Sequence, residues 1–85
     1  MVQVEIDVNK KYIFPQEICV VKYAEKYLII APEYANWIVL DSEEQLSILN
    51  YFKQGHTIQE TLSNSFKEND VNCVVCQIEA RCFCN

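Results

Sequence analysis

The sequence predicts an α+β domain in which a three- to four-stranded antiparallel sheet precedes three helices. Residues 1–40 are rich in β-branched and aromatic types with stretches of strict alternation. Residues 41–85 repeat apolar side chains at helical spacing, with capping residues ahead of each run. Strands first and helices afterwards place the helices together on one side of the sheet.

Within residues 1–16, Val2–Val8 alternates apolar and polar residues and reads as an edge strand or an N-terminal tail. The meander occupies 17–41. Ile18–Tyr23 and Tyr27–Ile30 are strand candidates, joined by a polar turn at Ala24-Glu25-Lys26. Pro32 stops the second strand because it cannot donate to a ladder, and Asn36 offers a left-handed residue ahead of a third strand, Trp37–Leu40. Gly55, the one glycine, lies further on, so the strands must turn without glycine.

Helices fill 42–85. Asp41 with Glu44, and Ser42 with Gln45, are two registers of a capping box, and Leu46, Ile48, Leu49 and Phe52 make the stripe of a helix that Gly55 ends. Thr57-Ile58-Gln59-Glu60 is another capping box, leading Ile58, Leu62 and Phe66 at i, i+4 and i+8. Asp70 is placed to cap a third helix that carries Val71, Val74, Val75, Ile78 and Cys82 on one face. Two helices meeting at a glycine, with a β-ribbon attached, are winged helix-turn-helix-like. No glycine or proline follows Cys84 and Phe83 lacks an evident partner, which predicts a chain cut from something longer.

At 85 residues the chain makes one domain. A 51% hydrophobic and 12% aromatic content excludes intrinsic disorder. No apolar run approaches the ~18 residues of a membrane span and no signal peptide opens the chain, so we expect a cytoplasmic protein without a membrane partner. Seven basic residues stand against twelve acidic ones, net charge −5, which disfavours a partner held by its phosphates.

The five cysteines are odd in number and are expected as reduced thiols. Cys73 and Cys76 have CxxC spacing, and Cys82 and Cys84 follow. Four thiolates can bind zinc, but here one helix carries them without the glycine-rich knuckles of zinc ribbons. A redox CxxC sits at a helix N-terminus after a strand, unlike this one. Small apolar fillers on a helix face are the preferred reading, with metal and redox chemistry as alternatives. His56 is the single histidine, and no carboxylate cluster, serine-nucleophile motif or phosphate loop accompanies it. We therefore expect no enzyme activity and no cofactor in this domain.

A helix-turn-helix invites DNA, yet residues 43–85 carry only Lys53, Lys67 and Arg81 against Glu43, Glu44, Glu60, Glu68, Asp70 and Glu79. A short antiparallel sheet with open edges suits a peptide that adds as another strand. Trp37 and Val39 beside the third helix could frame such a groove, or could pack the core.

The run Lys26–Asp41 (KYLIIAPEYANWIVLD), then Ser42–Leu49 (SEEQLSIL), then Gly55–Leu62 (GHTIQETL), resembles the PqqD-like domains known as RiPP recognition elements, over residues 17–83. The Gly-x-Thr-Ile step is the sharpest part of the likeness, and the cysteine-rich last helix departs from it. The resemblance implies a winged helix-turn-helix that binds the leader segment of a ribosomally made precursor peptide, docked as a strand beside the third strand and against the third helix. It implies a groove lined by Trp37, Ile38, Val39 and Leu40 and by Val71, Val74, Val75 and Ile78. It also implies fusion to, or partnership with, a bacterial modifying enzyme, often a radical S-adenosylmethionine maturase. The CxxxCxxC motif of that enzyme type does not occur in these 85 residues. A DNA-binding winged helix and a cysteine-rich metal-binding domain are the alternatives.

Overall fold

The computed structural model describes residues 7–84. Its elements are β1 (Cys19–Tyr23), β2 (Lys26–Ala31), a 3₁₀ turn (Pro32–Tyr34), β3 (Asn36–Leu40), α1 (Glu43–Lys53), α2 (Ile58–Leu62) and α3 (Glu68–Arg81). The three strands form one antiparallel sheet in the order β1-β2-β3, followed by the three helices, as the sequence predicts. The strand expected at Val2–Val8 lies outside the described residues save for Asp7 and Val8, which begin a turn.

Alternation divides the sheet into two faces. Ile29, Ala31, Ile38 and Leu40 point inward and are fully buried. Leu28 opposite Val39, and Ile30 opposite Trp37, belong to the other face, where Val21 pairs with Leu28. The helices cover only the inner face, with Ile48, Leu49 and Phe52 of α1 and Val71, Val74, Val75 and Ile78 of α3 closing the core. An extended segment before β1 straps the helices. Tyr12 packs its ring edge-to-face on Phe52 at 5.4 Å, and Val8 accepts the Gln59 N–H at 2.8 Å.

Both tight turns use alanine where glycine is usual. Ala24 has φ 56° in the two-residue β1–β2 hairpin, which needs a positive φ at that position. Ala35, at φ 49° and ψ 40°, takes the left-handed place expected of Asn36. Asn36 instead opens β3, and its amide Nδ2 donates to the Arg81 carbonyl at 2.8 Å.

The caps differ from expectation in instructive ways. Ser42 rather than Asp41 caps α1, accepting the Gln45 N–H at 3.2 Å, and Gly55 follows the helix at φ 96°. The Thr57–Glu60 capping box is complete, with bonds of 2.8 and 3.1 Å. Those bonds, the Thr57 backbone N–H foremost, hold the Glu60 carboxyl below its ordinary range. α2 ends at Leu62, so Phe66 lies beyond the helix, half-buried against the ring of Tyr51. α3 starts at Glu68, two residues before the expected cap; Asp70 is spent on Gln45 instead, at 3.3 Å.

The expectation that α3 lacks a stop is overturned. Cys82 adopts φ 49° and ψ 42°, its N–H donates to the Glu79 carbonyl at 3.3 Å, and the Phe83 N–H donates to Ile78 at 2.9 Å. That pair of bonds is a Schellman stop with cysteine where glycine is usual. Phe83 is buried and meets the Phe14 ring edge-to-face at 6.5 Å, so it has the partner the sequence did not reveal.

A left-handed alanine costs roughly 1 kcal/mol relative to glycine, because its Cβ crowds the following carbonyl. Ala35→Gly is accordingly expected to raise the urea midpoint by an amount worth about 1 kcal/mol with an unchanged slope. A lowered midpoint would show that the αL position carries no such strain.

Candidate functional site

β3 is an edge strand, and α3 runs beside it in the opposite direction. The start of β3 meets the end of α3 through Asn36 and Arg81, and its far end meets the start of α3 through Asp41, Gln45 and Asp70. Between edge and helix lies a solvent-open groove of about 350 Å³, lined by Val39, Asp41, Gln45, Asn69, Asn72, Cys73, Cys76 and Gln77. Helical spacing explains its helix wall. Val71, Val74, Val75 and Ile78 turn to the core, and Asn69, Asn72, Cys73 and Cys76 form the adjacent stripe one residue off.

Of the eight residues expected to line a groove, the structure leaves two in reach of solvent beside β3. Trp37 is 42% exposed and Val39 half-buried, both on the outer sheet side. Ile38, Leu40, Val71, Val74, Val75 and Ile78 are buried at 0–3% exposure and build the core, which corrects their assignment as groove residues. A period of two sends alternate β3 residues to opposite faces, and the apolar face of α3 is consumed by packing. Asn72, Cys73, Cys76 and Gln77 take their place. The polar shoulder next to the apolar stripe was their sequence signal.

The reading of the last four cysteines as apolar fillers is corrected for Cys76 and Cys82, which are exposed. Cys19, Cys76 and Cys82 are exposed, Cys73 is half-buried in the groove wall, and Cys84 packs partly against the core. Burial pushes the Cys84 thiol up to about 12. Among the described residues, no three histidine, cysteine or acidic side chains gather to hold a metal ion.

The charges are arranged sparsely. Arg81, the one base of α3, stacks its guanidinium 3.9 Å from the Trp37 ring centre at one end of the edge. Asp41 stands at the other end, 3.5 Å from Lys26. His56 lies away from the groove, stacked on Tyr51 at 3.7 Å with Glu60 beyond it at 3.8 Å. Among the described residues no helix is long and apolar enough to cross a membrane. Comparison with protein-family models, with curated proteins and with solved structures returned no match.

Two acids held without charge, buried Tyr12 and half-buried Cys84, lie beside the end of α3. The Tyr12 hydroxyl donates to Glu79 at 2.8 Å, and burial followed by that carboxylate drives its ionisation above the ordinary tyrosine range. Both Tyr12 and Cys84 ionise more readily once unfolded, so their stabilisation is complete below the unfolded values, ~8.5 for a thiol and ~10 for a phenol, and is lost above them. Stability is therefore expected to fall between pH 9 and the folded thiol value of about 12. Cys84→Ala should flatten that loss, as read from urea midpoints across the range. In alkylation at pH 8, Cys19, Cys76 and Cys82 should react first and Cys84 last, resolved by peptide mass spectrometry.

Proposed function

We propose that this chain binds the leader segment of a ribosomally made precursor peptide by strand addition along β3, against α3. The observation that carries the reading is the open groove of about 350 Å³ beside a strand edge that no other described strand pairs with. Strand addition draws affinity from main-chain bonds and selectivity from pockets for alternate side chains, and this site offers both. One set of peptide side chains faces Trp37 and Val39 on the outer sheet; the other enters between Cys73, Cys76 and Gln77. The family resemblance over residues 17–83 supports the same docking place.

In this reading the chain performs no chemistry and needs no cofactor. It holds the peptide for a modifying enzyme, either a downstream maturase domain or a separate protein, which the resemblance makes a radical S-adenosylmethionine enzyme. Its charge favours a peptide over a duplex. Arg81 is engaged with Trp37, and the start of α3 carries Glu68 and Asp70, a poor match to phosphates.

Titration with the leader of a precursor encoded beside the gene should change Trp37 emission and shift the amide resonances of β3 and α3. Cys76→Arg places a bulky charge in the groove at an exposed position, so it should weaken binding at least about tenfold while leaving the circular dichroism spectrum intact. Unchanged emission together with unshifted β3 amides would sink the reading.

A further inference from the structure

An unpaired strand edge normally leaves its outward main-chain groups to water. Here the outward donors of β3 are all covered by side-chain amides. The Trp37 N–H donates to Asn36 Oδ1 at 2.9 Å, the Val39 N–H to Gln77 Oε1 at 3.5 Å, and the Asp41 N–H to Gln45 Oε1 at 2.9 Å. The three caps are unequal. Asn36 is anchored a second time, on the Arg81 carbonyl at 2.8 Å, and buried Gln45 is anchored on Asp70 at 3.3 Å. Among the described residues Gln77 makes no second side-chain hydrogen bond, and its single bond is at the long limit.

We propose that Gln77 is a displaceable cap over the docking edge, and that Asn36 and Gln45 are fixed stops confining strand pairing to Trp37–Val39. The proposal rests on the peptide-binding reading and specifies its register. An incoming strand replaces the Gln77 carbonyl oxygen with its own main-chain carbonyl on the Val39 N–H. The same peptide residue returns its N–H to the Val39 carbonyl, the paired exchange of an antiparallel ladder. The residue beside it then enters the groove between Cys73 and Cys76. Asp41 is the one formal charge of the groove lining, and its partner Lys26, 3.5 Å away, lies outside that lining, so the entering side chain is not acidic. The partner is thus an extended segment with no carboxylate at its anchor or elsewhere on the groove side.

The test has a ligand-free arm and a bound arm. Amide hydrogen exchange on the free chain should show the Val39 N–H exchanging faster in Gln77→Ala than in the wild type, with Trp37 and Asp41 unchanged. For the bound arm, random displayed peptides are selected on the wild-type chain, and a synthetic copy is kept if it protects Cys73 and Cys76 from N-ethylmaleimide. Gln77→Ala should bind that copy about threefold more tightly, since a weak competing hydrogen bond is gone. Aspartate at the anchor position of the peptide should abolish the protection. If Val39 exchange does not respond, or if Gln77→Ala binds more weakly than the wild type, Gln77 is not a cap, although peptide protection of the two thiols would leave the groove reading standing. If no selected peptide protects them, both proposals fall.

Discussion

The burial of one face of α3 against the inner sheet is the constraint on which the rest depends. Val71, Val74, Val75 and Ile78 are withdrawn from water, together with Ile29, Ile38 and Leu40 opposite. Full burial of such side chains is worth about 1.5–3 kcal/mol each, whereas an exposed ion pair such as Lys26–Asp41 contributes about 0–1 kcal/mol. Apolar packing therefore holds the helix, and the polar contacts at its two ends decide how it is seated. Asn36 ties its last turn to the start of β3, and Gln45 ties its first turn to the end of β3. The groove is the space left between those two ties.

This arrangement explains what the sequence disclosed and what it withheld. The strands, both capping residues with hydroxyls and the Gly55 joint were legible, because alternation, Ser42, Thr57 and a single glycine act locally. The candidate site was legible only as a place: β3 beside α3. Six of its expected residues are core, because the hydrophobic stripe that marks a helix as amphipathic is the stripe it buries. The stop of α3 was hidden for a different reason. Cys82 takes a conformation for which cysteine carries no signature, and it does so because Phe83 is drawn into the core beside Phe14. Tertiary burial there outweighs a local strain of roughly 1–2 kcal/mol.

Edge strands are usually guarded by lysine, proline or a bulge, devices that repel any further strand. β3 carries none of these within Asn36–Leu40 and is guarded by amides. An amide carbonyl imitates the carbonyl of a neighbouring strand, so it satisfies the edge without making it inhospitable. Under the proposed docking, such a guard would yield to a better-fitting strand.

The other edge, β1, clarifies why a wall matters. All five of its residues are exposed, and among the described residues no helix packs along it as α3 does along β3. Its main-chain groups could pair with a peptide as readily as those of β3. A hydrogen bond exchanged with water contributes only about 1 kcal/mol net, while ordering each peptide residue costs about 1–2 kcal/mol. Main-chain pairing alone is therefore close to neutral on β1. In the proposed docking on β3 the same pairing would be joined by side chains leaving water between Cys73, Cys76 and Val39, at roughly 25 cal/mol for each Å² of apolar surface. The second stripe of α3, which sequence periodicity passes over as merely polar, is what would make one edge of this sheet a better docking place than the other.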